Sequence, residues 1–335
     1  MVKFLRFIKG FIKYLIIGLL YLWCIGGVYY LNFIPENLRS SITWLFILVL
    51  PLCLIIFRRR WFVYWIALLI CLSIAAYYKF EPASNDGDWD VNWAVVPSVT
   101  FKGDEVNIKN IRDFQYRSET DFIPHYYDKT FDLNDIDSLY YVLSYWDGNK
   151  AVAHSILSFG FKGGDYLCIS VETRLKKNQP QTGIGGLYNQ YGLLYILADE
   201  RDVLRLRTNF RKEEVYMYQV KPNKEMIRAL FTAIINRVDK LKTQPQFYNT
   251  VKHSCLTSLL ADLRQVRGES LEFDYRHIFN GYSDELFYEK GAFTNENMPF
   301  AKFKEIHHIN QYIKDNSSIT DYSKDIRQFE TLKKE

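Results

Sequence analysis

Three long apolar runs open the chain, and after them hydrophobic and polar residues interleave at strand and helix periods. Residues 14–31, 42–57 and 61–78 are uncharged and mostly apolar. Each approaches the roughly 20 residues that a helix needs to cross a bilayer, 17–25 being the usual range. The second run contains Pro51, which neighbouring helices can tolerate in lipid. The pattern predicts three spans, with two as the alternative if the second and third runs form a re-entrant pair. A cleaved signal peptide fits the first run poorly. The stretch is long, no A-x-A-like site follows, and more apolar runs come after it.

Beyond residue 80 the periods shorten. Residues 81–90 (EPASNDGDWD) are a polar linker with Pro, Ser and Gly, and mark a domain boundary. Alternation predicts strands at 106–111, 151–161, 166–173, 203–207 and 215–220, and residues 133–143 read as a short helix. Gly163-Gly164 reads as a two-residue hairpin turn between the strands at 151–161 and 166–173. Pro222 then opens an amphipathic helix over 223–241, with Ile227, Leu230, Phe231, Ile234, Ile235, Val238 and Leu241 on one face. A second helix starts at Ser254 or Cys255 and is ended by Gly268. The organisation predicted is an anchor over 1–80, a linker over 81–90, an α+β domain over 91–314 and a polar, fraying tail over 315–335.

Charge is divided along the same line. Residues 1–80 hold nine Lys and Arg against the single acid Glu36, a net of +8. The chain has 42 basic and 38 acidic residues in all, so the remainder holds 33 against 37 and nets −4. The overall +4 therefore belongs to the anchor, and a nucleic-acid partner is excluded. Aromatic content of 17% argues against a disordered chain. Lys3, Arg6, Lys9 and Lys13 precede the first span, and Arg58, Arg59 and Arg60 separate the second from the third. Basic residues stay on the cytoplasmic side. The expected topology is an N-terminus in the cytoplasm, spans in the cytoplasmic (inner) membrane and the main domain in the periplasm. Trp61, Trp65, Tyr77 and Tyr78 suit the interfacial belts.

The candidate chemistry is a cysteine and a histidine. Cys24, Cys53 and Cys71 lie in the apolar runs, which leaves Cys168 and Cys255 in the exported domain. No CxxC, HExxH or close Cys/His set occurs, so neither a metal nor another cofactor is expected. The pair His307-His308 reads as solvated. Cys255 sits at the first turn of a predicted helix, where the helix N-terminus stabilises a thiolate. An imidazole is the usual base for a thiol, and His154 lies on a strand that alternates into the core. The plainer alternatives are a buried helix cysteine beside a hydrogen-bonded core histidine, or a Cys168–Cys255 disulfide. A third group usually orients the imidazole. A two-residue turn sets Lys162 opposite Asp165 and His154 opposite Thr173. A slip of one residue, or a bulge, sets Glu172 there instead, and Glu172 is the chemically better partner. Its structural alternative is an ion pair with Arg174, Arg205 or Arg207.

The blocks NIRDFQYRSETDF (110–122), AHSILSFGF (153–161), ISVETR (169–174), LADERDVLRLRT (197–208) and FYNTVKHSCLTSLL (247–260) together resemble the Lnb-type N-terminal periplasmic domain over about 88–265. The resemblance implies a circularly permuted papain-like (NlpC-like) fold with an antiparallel sheet and packed helices. It assigns the family's Cys to Cys255, its His to His154 and its acid to Glu172. It also implies acyl transfer from a phospholipid donor, through a Cys thioester, to a lipoprotein's N-terminal amine. Where the family reads Asn-Cys-Thr, this chain reads Ser254-Cys255-Leu256. Tyr248, Phe247, Tyr188 and Tyr191 are candidates to line an acyl groove. The other classes open are a cell-envelope cysteine peptidase or amidase, which a polar cleft favours, and a non-catalytic envelope scaffold.

Overall fold

The computed structural model describes residues 2–146, 148–221, 223–270, 272–294, 297–313 and 322–331. Pro222 as helix opener, and the tail at 314–321 and 332–335, lie outside the described residues. The chain divides into two units, one comprising 1–83 with 182–191 and the other 84–181 with 192–335.

In the first unit, helices α1 (Val2–Tyr29), α2 (Glu36–Ile56) and α3 (Trp61–Phe80) are each long and apolar enough to cross a membrane. The second run thus forms a continuous helix through Pro51. Proline has no N–H, so the Ile47 carbonyl one turn earlier loses its helical partner. The Tyr21 hydroxyl of α1 donates to that carbonyl at 3.0 Å, which satisfies it from a neighbouring helix. The segment 182–191 packs in this unit. Its Tyr188 hydroxyl donates to the Trp23 carbonyl at 2.9 Å, and Asn189 donates to the Tyr78 carbonyl at 2.9 Å. A Cβ on Gly26 would fall 2.3 Å from the Tyr188 hydroxyl oxygen, so the close approach depends on that glycine.

The second unit is built on one sheet. Its strands are β1 (Ser98–Lys102), β2 (Glu105–Arg112), β5 (Tyr126–Asp132), β6 (Ile136–Tyr145), β7 (His154–Phe161), β8 (Tyr166–Arg174), β9 (Gly192–Ala198) and β10 (Glu214–Gln219). The short β3 (Gln115–Tyr116) and β4 (Phe122–Ile123) form a separate ribbon. The order is β1-β2-β9-β8-β7-β6-β10, with β5 pairing β2. The expected antiparallel sheet is in fact mixed, because β2 meets β9 in parallel through Arg112 and Ala198.

Helices α5 (Lys224–Thr243) and α6 (Cys255–Arg267) cover one face. All seven apolar positions predicted on α5 are buried. Asn223 caps its start, its side chain accepting from the Met226 N–H. Phe231 packs edge-on against Phe159 and Phe161 of β7. Truncating it to alanine would cost about 3–5 kcal/mol. On the other face lie α4 (Glu200–Arg205) and the C-terminal α9 (Tyr322–Asp325). The remaining helices, α7 (Ser283–Glu289) and α8 (Phe300–Ile306), follow α6 in the chain.

Four expectations are corrected. Residues 133–143 are a short 3-10 turn running into β6 rather than a helix, because β6 is buried on both faces and so lacks a readable alternation. Residues 203–207 are not a strand. Asp199 caps α4 by accepting from the Arg201 N–H, and a π-helical turn, Leu206–Phe210, follows. The tail does not fray throughout, since Tyr322, Ile326 and Phe329 are buried and Arg327 pairs with buried Glu200 at 2.5 Å. Nor is His307-His308 solvated. His307 is buried with its Nδ1 2.7 Å from the Phe303 carbonyl, and His308 pairs with Glu214 at 2.8 Å.

Candidate functional site

The hairpin between β7 and β8 decides which side chain faces His154. The Phe161 N–H donates to the Asp165 carbonyl at 2.9 Å, so the turn is the three residues Lys162-Gly163-Gly164, with both glycines at positive φ (92° and 89°). Lys162 therefore does not pair with Asp165. The register runs from Gly160 opposite Tyr166 to Ile156 opposite Ser170. Continued by two residues, it sets Glu172, not Thr173, across from His154. The slipped register is the one found.

The His154 Nε2 lies 2.7 Å from the Ser170 Oγ and 3.1 Å from the Glu172 Oε1. The Ser170 hydroxyl donates to the same carboxylate oxygen at 2.6 Å, and Arg207, from the π-helical turn, donates to it at 3.3 Å. Glu172 thus binds His154 and Arg207 at once, so both the orienting reading and the ion-pair alternative describe real contacts. Neither Arg174 nor Arg205 is its partner among the described contacts. Arg174 instead bonds the Trp93 and Ala94 carbonyls and Asn85.

Cys255 is the first residue of α6. Ser254 caps the helix, its hydroxyl accepting from the Thr257 N–H while Thr257 reaches back to the Ser254 N–H at 2.8 Å. Asparagine and serine are both strong N-cap residues, so serine in the family's asparagine position still serves the helix start. Cys255 is 7% exposed, and its Sγ lies 3.9 Å from the carbonyl oxygen of Ala153, the residue before His154, whose ring Nε2 is committed to Ser170 and Glu172. Burial pushes the thiol up. The His154 hydrogen bond and charge, with the backbone N–H groups of Ser155 and Leu256, outweigh that and hold it below its usual value. Burial likewise opposes the imidazolium, but the Glu172 charge overcomes it and raises His154 to about 9. Glu172, buried against the same cation, is held well below the usual carboxylate range. The lowered thiol and the raised imidazole shift in the directions that favour the charged form of each, and the two titrations belong to the pair.

The neighbouring groups sort themselves by position. Cys168 and Cys255 are both free. They lie in clusters on opposite faces of the sheet, which removes the disulfide alternative. Burial and two nearby cations, Arg237 and Lys252, lower His253 and keep it neutral. Tyr248 lies near Cys255, burial and the Cys255 charge raising its hydroxyl, and Phe247 bridges to Gly192. Tyr188 and Tyr191 belong to the segment grouped with the N-terminal helices.

One contact has no precursor in the sequence reading. The Asn280 Nδ2 donates to the Cys255 Sγ at 3.3 Å and also to the Ala153 carbonyl, while its Oδ1 accepts from the Ala153 N–H at 3.1 Å. Both backbone groups of the residue before His154 are thus read by one amide, which fixes its orientation and ties the cysteine helix to the histidine strand.

A cleft of about 550 Å³ opens onto His154 and Glu172. Its other lining includes Trp146, Arg207, Arg211, Lys212 and Glu213, so it is strongly charged, and Cys255 does not line it.

Residues 123–281 match the family model of the Lnb N-terminal periplasmic domain. The match begins later than the resemblance over 88–265 and runs on to include Asn280. No curated protein and no solved structure gives a significant match. Residues 123–281 are thus similar to the Lnb N-terminal periplasmic domain, and three helices of membrane-spanning length and composition precede them in the chain.

Proposed function

We propose that this protein is an extracytoplasmic thiol acyltransferase with the permuted papain-like arrangement of site residues, anchored in the inner membrane with its N-terminus in the cytoplasm. The observation that carries the proposal is Cys255 at a capped helix start, tied through Asn280 and the Ala153 carbonyl to the start of the strand whose first residue, His154, is held by Glu172. The basic clusters of the anchor support the orientation.

The reaction proceeds in two balanced steps. The Cys255 thiolate attacks the ester carbonyl of a phospholipid, and backbone N–H groups at the helix start stabilise the oxyanion. The C–O bond breaks, His154 gives its proton to the departing alkoxide, and a lysophospholipid leaves an acyl thioester on Cys255. The amine of a lipoprotein then attacks the thioester. His154 takes the amine proton, the C–S bond breaks, and the thiolate is restored with an amide as product.

The charged cleft favours a second reading, a cell-envelope cysteine peptidase or amidase in which the acyl group comes from a peptide and water resolves the thioester. Mass spectrometry of the full-length protein incubated with phospholipid separates the two. The expected result is an acyl adduct on Cys255 that is absent from Cys255→Ala. Cleavage of peptidoglycan peptides with no lipid-derived adduct overturns the first reading in favour of the second.

A further inference from the structure

The segment 273–282 has two sides of opposite character. Inward, Asn280 is buried against Cys255, and the Ser283 hydroxyl that follows it is buried too. Outward, Phe273 is 81% exposed, Tyr275 58% and Phe279 49%, with Ile278 and Tyr282 also exposed. Five large apolar or aromatic side chains thus face solvent within ten residues. Among the described residues of this unit, the other exposed large hydrophobics, such as Phe101, Ile123 and Trp146, are scattered along the chain. Single exposed apolar residues are ordinary, whereas five of them gathered in one short segment are not, and such a concentration suits an interaction surface.

The C-terminal end of the segment is pinned by backbone contacts at Gly281. The Gly281 N–H donates to the Ala151 carbonyl at 3.1 Å, and the Tyr145 hydroxyl donates to the Gly281 carbonyl. A Cβ at Gly281 would fall 2.2 Å from the Lys150 carbonyl oxygen, so the segment lies flush on residues 150–152. The charges within it are already matched. Arg276 pairs with Asp274 at 2.9 Å and with Glu289 at 2.8 Å. With its ions already paired, the segment exposes no unpaired Arg or Asp charge that would have to be desolvated on entering an apolar phase.

We propose that residues 273–282 are a lipid-docking loop that sets its outer aromatic side chains into the bilayer interface while its inner side, through Asn280, holds the nucleophile. The bilayer is the occupant because three membrane-length helices in the same chain keep the domain at a high effective concentration of lipid surface. Tyr, with its apolar ring and polar tip, is a residue of membrane interfaces, and Phe and Ile supply buried apolar area. The docking stands apart from the chemistry. Its consequence, delivery of Cys255 to a lipid ester, rests on the acyl-transfer reading.

The test uses the full-length protein in phosphatidylethanolamine/phosphatidylglycerol proteoliposomes, with a benzophenone amino acid placed at 273, at 279 or, as a control, at 101. Phospholipid crosslinks at 273 and 279 but not at 101 are expected. Crosslinks to protein, or none to lipid, overturn the proposal. The double variant Phe273→Glu/Phe279→Glu is expected to slow transfer from bilayer phospholipid at least tenfold while iodoacetamide alkylates Cys255 within twofold of the parent rate. An unchanged transfer rate overturns the delivery role. Lipid crosslinks with no acylation of Cys255 overturn the acyl-transfer reading alone. Acylation without crosslinks overturns the docking alone.

Discussion

Cys168 and Cys255 lie in one domain, on either side of one sheet, and both are buried, yet their thiols are driven in opposite directions. Cys168 sits mid-strand in β8 with no exposed surface, and burial together with the Glu200 charge raises it well above the ordinary thiol. Cys255 begins a helix, and an imidazolium and two backbone N–H groups bring it down despite burial. Burial therefore does not set reactivity here. The sign of the neighbouring charge does, together with whether backbone N–H groups favour the thiolate.

The sharpest way to break this contrast is to remove each thiol in turn. Cys255→Ala should lower acyl transfer by at least about 10⁴-fold. Cys168→Ala should leave the rate within about twofold and cost about 1–2 kcal/mol of stability, read by denaturant unfolding. A dead but folded Cys168→Ala protein would reverse the assignment. His154→Gln comes next, with a loss of about 10³-fold in the same assay.

Glu172→Gln should slow transfer by about 10–100-fold and also move the pH profile. The carboxylate raises His154 to about 9 against the opposing effect of burial. Without it burial prevails, the imidazolium is lost at lower pH, and the alkaline limb shifts to lower pH. A slower enzyme with an unmoved limb would make Glu172 structural. The smallest effect belongs to the helix cap. Ser254→Ala should cost about 1 kcal/mol of stability and slow alkylation of Cys255 a few-fold, whereas Ser254→Asn should stay near the parent. Equal alkylation rates in both variants would remove the helix start from the account.

How much of this was legible in the sequence follows from where each signal resides. The α5 face and the start and stop of α6 are local, since periodicity, Ser254 and Gly268 are all read within one element. Cys255 and His154 are legible for the same reason. The sequence of α4 is ambiguous because VLRLR alternates like a strand, although Asp199 followed by Glu200 and Asp202 is a helix-start signature. The packed tail also left a trace, with Tyr322, Ile326 and Phe329 at helical spacing. Asn280 left none. It is a lone asparagine whose partners are the backbone of Ala153 and the sulfur of Cys255, and no short-range pattern reports a contact 127 residues away in the chain. Glu172 stands between these cases, because its residue type was readable while its place opposite His154 depended on the turn.

That turn carries an instruction about parity. Surface hairpin tips usually absorb insertions and deletions. From Gly164 to Glu172 the strand covers roughly 27 Å, at about 3.4 Å per residue. Closing the hairpin on the two residues Gly163-Gly164, with Lys162 opposite Asp165, would nevertheless bring Thr173 opposite His154 and send Glu172 and Ser170 to the other side of the sheet. The number of residues in an exposed loop thus encodes the identity of a buried partner at the far end of the hairpin. A mutation that touches no site residue and loses no packed side chain could in this way replace the carboxylate beside His154 with a hydroxyl.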